Sequence, residues 1–387
     1  MTDGSCTVVA FCDWNAAACA HRKPSWSPAT GPGEALLVVH AKLSATTDQG
    51  VMATTQLSRQ LRALPWNTSS TVEVSSGFHR GCAIRTGGSL WCWGSKYEGA
   101  LEIGPLGHDA AFPVRVQPHQ WGSQWTQLQV VSVGCGNAHT CAALSDGAVL
   151  ALERREAAWA GDSTSRNSPA LETAPGPINM TLAKQVSTGA KFTCAVTLQP
   201  SVWCWGTNGK GQLGVSNKLN RTRPEAVNLT AAGFELSIAT VSADVAHILA
   251  LTANGSVWSW GGGEYGRLGT GATADALYPA HVQPTDWGSA GLGVQHMPVI
   301  QVSAGAAHSC AILVDGSLWC WGWDVHGQLG LGQTGDEKQL EPQRVQSVAW
   351  GSDNSSQLAV VPVSAGLRHT CAVLVDGSVW CGKEEVL

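Results

Sequence analysis

The residues with the most chemical potential are the cysteines. Of thirteen, eight fall in pairs ten positions apart: Cys82 and Cys92, Cys194 and Cys204, Cys310 and Cys320, Cys371 and Cys381. Paired thiols can form disulfides, pack as small apolar groups, or hold a metal. A zinc site drawn from His308, Cys310 and Cys320 lacks an evident fourth ligand, so no metal is expected. Cys6, Cys12, Cys19, Cys135 and Cys141 have no partner at the regular spacing.

His139, His247, His308 and His369 each stand two residues before a cysteine or its counterpart Leu249, and Arg80 and Phe192 take the same slot elsewhere. A general base is expected at one special place, held by a second group, and not at regular intervals along a chain. The histidines therefore read as strand-capping framework. Gly206-Thr-Asn-Gly-Lys-Gly211 looks like a phosphate loop but lacks the Gly-Lys-Ser/Thr ending. There is no Gly-x-Ser-x-Gly elbow and no His-Glu-x-x-His helix. We expect no catalytic residues, no cofactor and no enzyme activity.

These residues are positioned by a repeat. The clearest copy runs VSAGAAHSCAILVDGSLWCWG from Val302 to Gly322, and others begin near Val74, Val133, Val186, Val241 and Val363. The second copy, from Val133, loses its Trp-x-Trp segment to Ala148–Arg155. Two further phrases recur in order: Asn208-Gly-Lys-Gly-Gln-Leu-Gly214, echoed at 264–269 and 325–330, and Pro-x-x-Val-Gln, at Pro113, Pro279 and Pro342. Around Asp315-Gly316 the flanking runs are rich in β-branched and aromatic residues, which reads as a hairpin with a three-residue loop and Gly316 left-handed. That register sets Ile312 against Leu318 and Cys310 against Cys320. Opposed non-hydrogen-bonded positions lie about 4.5 Å apart at Cα, at the near edge of disulfide reach. Disulfides are the favoured state of the eight paired cysteines, with buried free thiols as the alternative. The Pro-x-x-Val and Val-Ser segments supply two more strands, making a four-stranded blade. The nine tryptophans of the Trp-x-Trp phrase read as core.

The Val-Ser-x-Gly-x-x-His, Asp-Gly-Ser-x-Trp-x-Trp-Gly and Gly-x-Leu-Gly phrases resemble the repeats of the regulator-of-chromosome-condensation family, from Val74 to Gly382. The resemblance implies an all-β, single closed β-propeller with four-stranded antiparallel blades, typically seven. Six repeats over 74–387 plus a degenerate N-terminal blade or ring-closing strands over 1–73 match that number, with six blades as the alternative count. Ala35–Leu43 is the expected strand donor. The family implies a non-enzymatic protein-binding propeller, an interaction scaffold or ligand-binding module whose protein partner is unidentified. Guanine-nucleotide exchange on a small GTPase is the alternative. The Trp-Cys-Trp-Gly variant is also similar to the ectodomain repeats of Crinkly-type plant receptor kinases.

Composition limits the partners. A net charge of −5 and no basic run longer than Arg154-Arg155 or His21-Arg22-Lys23 give no footprint for direct nucleic-acid binding. No stretch approaches the ~20 apolar residues of a membrane-spanning helix, and a monomer is expected. Six of eleven asparagines, Asn67, Asn179, Asn220, Asn228, Asn254 and Asn354, begin Asn-x-Ser/Thr, where chance predicts about two, so they are candidate glycosylation sites. With the cysteines they favour an extracellular or secretory-lumen location. Residues 1–20 carry Asp3 and Asp13 in their only apolar stretch and do not read as a signal peptide, which keeps cytoplasm or nucleus as the alternative. Positions that break the repeat, Arg154, Arg155 and Glu156 with Trp159, the loop from Asp162 to Pro177, Trp323, Asp324 and the segment 333–338, are the candidate partner-binding residues.

Overall fold

The computed structural model describes residues 42–46, 52–56, 71–77, 80–94, 110–116, 129–137, 139–153, 170–171, 182–199, 201–232, 236–282, 297–332, 338–346 and 359–382. The hairpin is the local unit. At its tip Gly316 takes φ 78°, its N–H bonds the Leu313 carbonyl at 2.9 Å, and the Leu313 N–H bonds the Ser317 carbonyl at 3.0 Å. A positive φ costs glycine nothing sterically. The Asp315 carboxylate accepts from the Ser317 N–H and hydroxyl, and the Trp319 indole N–H donates to that hydroxyl. Asp-Gly-Ser-x-Trp is thus one hydrogen-bonded relay that sets the register, with Ile312 opposite Leu318 and Cys310 opposite Cys320.

In blades 1 to 5 the hairpin is flanked by a strand on either side, giving antiparallel sheets in simple sequence order. Blade 1 comprises Thr71–Ser76, Arg80–Arg85, Ser89–Gly94 and Ala110–Arg115. Blade 2 comprises Val130–Cys135, His139–Leu144, Val149–Glu153 and Ala170–Leu171. Blade 3 is built from Ala183–Thr188, Phe192–Thr197, Val202–Gly206 and Arg221–Ala226, and blade 4 from Ile238–Ala243, His247–Thr252, Val257–Gly261 and Ala276–His281. Blade 5 has Val299–Ala304, His308–Leu313, Leu318–Gly322 and Gln339–Arg344. Blade 6 has three described strands, Val360–Ala365, Thr370–Leu374 and Val379–Gly382. Blade 2 keeps its third strand without the Trp-x-Trp phrase, because Val149, Leu150 and Ala151 bury the same positions.

The fold is a six-bladed β-propeller, which corrects the expected seven. Before Thr71 the described residues form one hairpin, Lys42–Thr46 paired with Met52–Gln56, two strands where a blade needs three or four. Asn15–Ser70 forms a compact unit separate from the one that holds the blades. Of the expected donor strand, Ala35–Ala41 lies outside the described residues, while Lys42 and Leu43 belong to that hairpin.

Neighbouring blades bury apolar faces on one another. Phe192, Cys194, Val196 and Leu213 of blade 3 form one cluster with Ile238, Val241, Ile248 and Trp260 of blade 4. The Val-Ser phrase adds a polar stitch: Ser75, Ser187, Ser242 and Ser303 each accept from a backbone N–H of the next blade, at Cys135, Ala243, Ala304 and Ala365, at 2.9–3.0 Å. The glycine two residues on is required by close approach. A Cβ at Gly136 or Gly305 would strike the Gly189 or Gly366 carbonyl of the following blade.

Candidate protein-interaction face

The repeated histidines lie between blades. His139 Nε2 is 2.9 Å from Thr193 Oγ1, His247 Nε2 is 2.9 Å from Ser309 Oγ, and His308 Nε2 is 2.8 Å from Thr370 Oγ1, each time reaching the next blade. All three rings are buried. Burial pushes His139 down to about 4 and His308 to about 3, with Arg80 and His369 adding like-charge repulsion, and His247 is also well below its ordinary value. Neutral imidazoles of this kind clasp the scaffold together.

Cys82–Cys92, Cys194–Cys204, Cys310–Cys320 and Cys371–Cys381 are joined as disulfides at Cα separations of 4.1–4.2 Å. In blade 4 Leu249 and Ser259 share that register, and the Ser259 hydroxyl donates to the Leu268 carbonyl instead. Cys141 faces Ala151. Cys135 and Cys141 are buried, and burial raises the Cys135 thiol to about 11. Among the described residues no group of three histidine, cysteine or acidic side chains is placed to hold a metal.

Beyond the third strands of blades 3 and 4, the Gly-x-Leu-Gly loop caps the next blade. The buried Trp260 and Trp321 indoles donate to the Gln212 and Arg267 carbonyls of the preceding loops. Asn208 Oδ1 accepts from the Leu213 N–H, and Asp324 Oδ1 accepts from the Leu329 N–H in the equivalent place. Asp324 is only 5% exposed, and burial raises its pKa. Its side chain belongs to the loop's own framework.

Trp323 is different. Its ring stacks on Tyr265 of the blade 4 loop, with centroids 5.1 Å apart and planes at 26°. The His326 ring meets Trp323 edge-on at 5.2 Å, and Lys338 Nζ lies 5.4 Å from the centre of the Tyr265 ring. Tyr265 has φ 64°, a left-handed conformation uncommon outside glycine. The three rings are partly exposed and Lys338 is exposed, in a patch spanning two blades. Trp323 and Lys338 carry a repeat-breaking signal in sequence. Tyr265 and His326 sit inside the Gly-x-Leu-Gly phrase, where recurrence disguises them as framework. Arg154, Arg155 and Trp159 lie outside the described residues. So do Asn67, Asn179 and Asn354, whereas Asn220, Asn228 and Asn254 are exposed.

Blade 4 also buries charge. Asp244 takes the position of the close-approach glycine, and Arg267 that of Gln212 and Gln328. Arg267 Nη1 donates to the Ala306 carbonyl at 2.7 Å. Burial raises Asp244 to about 7, opposed by its N–H bond from Val245 and the Arg267 charge.

Six antiparallel blades built from these phrases define the chain as a repeat β-propeller. It belongs to the RCC1-like domain family, whose profile matches residues 42–372. It is 32% identical over 313 residues to the ultraviolet-B receptor UVR8 of Arabidopsis thaliana, covering 79% of this chain and 63% of the receptor. The chain thus spans less than two thirds of that relative's length. Human WBSCR16 has a similar fold (TM-score 0.67, 18% identity, 85% of this chain and 78% of that one). So does yeast RCC1 (Prp20), solved bound to Kap60 (TM-score 0.65, 18% identity, 80% and 69%). No described helix is long and apolar enough to cross a membrane.

Proposed function

We propose that this chain is a non-enzymatic protein-binding propeller that engages its partner through the loops of blades 4 and 5. The observation that carries this reading is the Tyr265–Trp323 stack with Lys338 and His326 around it. Rigid aromatic surface next to a cation is the usual composition of an interface anchor, because it buries large area at small entropic cost. Protein partners in the family support it: yeast RCC1 is solved with Kap60, and another Prp20 structure is described with its binding to Gsp1p and histones. The four disulfides and the exposed sequons at Asn220, Asn228 and Asn254 favour an oxidising compartment and candidate glycoprotein status. That setting favours a ligand-binding module over nucleotide exchange on an intracellular small GTPase.

The test is affinity capture by the intact protein and by Trp323→Ala and Lys338→Glu variants of matched thermal stability, with thiol counting and an endoglycosidase shift on the natural protein. The variants are expected to lose the captured partner, with eight thiols protected and a mobility shift. Equal capture by all three proteins would remove the loop face, and thirteen reactive thiols without a shift would turn attention to GTPase exchange.

A further inference from the structure

The hairpin tips lie at the opposite end of each blade from the Gly-x-Leu-Gly loops, because the third strand leaves the tip and ends at the loop. Their turn is built on one side-chain oxygen. Asp146 Oδ1 accepts from the Ala148 N–H, Asp315 Oδ1 from the Ser317 N–H and Asp376 Oδ1 from the Ser378 N–H, at 2.9–3.0 Å. Blade 4 replaces the aspartate by Asn254, whose Oδ1 accepts from the Ser256 N–H at 3.2 Å and from the Thr252 hydroxyl. Asparagine keeps that acceptor and exchanges the second oxygen for an amide nitrogen. With Ser256 retained, the framework phrase Asp-Gly-Ser becomes Asn-Gly-Ser, a glycosylation acceptor.

The three exposed sequons are not equivalent. Asn228 Nδ2 donates to Ser216 Oγ at 3.2 Å, so a substituent there competes with a contact of the fold. Asn220 stands immediately before the fourth strand, where blades 4 and 5 have Asp275 and Lys338, and so lies at the loop end. Asn254 is exposed, and its Nδ2 makes no hydrogen bond among the described residues. Its surroundings are aliphatic. A Cβ added at Gly255 would come within 2.5 Å of the Pro298 Cβ, and the Pro298 carbonyl accepts from the Val314 N–H at 3.0 Å. Pro298 is exposed, and Val314 is 59% exposed.

We propose that Asn254 carries an N-linked oligosaccharide whose first sugars cover Pro298 and Val314 at the hairpin-tip end of blades 4 and 5. The inference rests on the oxidising-compartment reading above. The Asn254 nitrogen bonds C1 of the reducing-end sugar of a lipid-diphosphate-linked oligosaccharide, while the bond from C1 to the diphosphate oxygen breaks. The lipid diphosphate leaves, and the amide gives one proton to a base of the transferase. Oδ1, the atom that holds the turn, takes no part. A glycan so placed hydrates aliphatic surface and leaves the loop face open to a partner.

The experiment treats the natural protein with peptide-N-glycosidase in heavy-oxygen water and maps its peptides by mass, with thiols alkylated before reduction. Asn254 is expected as heavy-labelled aspartate. In secreted recombinant protein, Asn254→Asp restores the residue of three other blades. That variant should keep the melting temperature, lose the mass of one glycan and be retained longer on a hydrophobic column, and adding Val314→Ser should remove the extra retention. An unlabelled Asn254 with eight thiols protected overturns the proposal alone. The same result with thirteen reactive thiols overturns the compartment reading with it. Unchanged retention of Asn254→Asp overturns the covering of Pro298 and Val314.

Discussion

Phe192 of blade 3 and Ile248 of blade 4 lie in one buried cluster, at the two positions that hold histidine and hydroxyl where blade 2 meets 3, 4 meets 5, and 5 meets 6. The departures are matched: where the imidazole is replaced by a phenyl ring, the hydroxyl opposite is replaced by an apolar side chain. Phe192→His alone should therefore bury an imidazole against Ile248 with no partner, costing about 2 kcal/mol in denaturant unfolding. Ile248→Thr alone should cost a similar amount. The double variant should recover part of the loss, giving a coupling of about 1 kcal/mol or more. Additive losses would show that the two positions do not work as a pair.

The buried imidazoles make stability depend on pH. His308 sits at about 3 in the folded protein against an ordinary value of 6.5, so the unfolded chain takes up the proton first. Stability is intact above pH 6.5 and is lost as pH falls toward 3, by about 2 kcal/mol per such histidine between pH 6.5 and 5. Asp244, raised to about 7, acts oppositely, its cost building as pH rises from about 4 to 7. The comparison that isolates the clasp is wild type against His308→Gln at pH 7 and pH 5. The variant should be less stable at pH 7 and lose less on acidification, and parallel losses would refute the role of His308.

The six copies and the hairpin register were legible because both rest on local signals: alternating β-branched residues, Asp-Gly turns and cysteines ten apart. The blade count was not, because residues 1–73 have the length of a blade but carry none of the Val-Ser or Trp-x-Trp phrases. A single repeat shows the histidines only as caps of their own strand. Their partners lie 54 to 62 residues away in the next copy, and only comparing neighbouring copies column by column exposes the Phe192 and Ile248 exchange. The Tyr265–Trp323 stack was hidden for the same reason, since it joins loops from two blades.

A bulge in the first strand of each blade re-aims the residue that follows it. Gln185 pairs both ways with Val241 of the next blade, and Gln301 does so with Val363. In blade 1 that residue is Glu73, whose Oε1 accepts from the Val133 N–H and the Ser132 hydroxyl. A carboxylate cannot donate to the Val133 carbonyl as the amide does, and burial raises its pKa. Glu73→Gln should stabilise the protein by about 1 kcal/mol at pH 7. Because Glu73 is raised, its cost is absent below the unfolded carboxyl pKa and present at neutrality, so the gain should shrink at pH 4. No gain in denaturant midpoint at pH 7 would show that the carboxylate is fully accommodated.

The four disulfides differ in access. Cys82–Cys92, Cys194–Cys204 and Cys310–Cys320 are sealed between blades, while Cys381 at the edge of blade 6 is exposed and Cys371 half-buried. Thiol–disulfide exchange needs an approach to one sulfur, so the Cys371–Cys381 bridge should open first under graded reductant, while the others wait for local unfolding. Alkylation followed by peptide mass analysis reads the order directly. Opening that bridge should leave the other blades folded, whereas Cys310→Ala with Cys320→Ala should cost up to about 3 kcal/mol, the chain-entropy value for a loop of this size. Simultaneous loss of all four bridges would mean that blade 6 is as well covered as its neighbours.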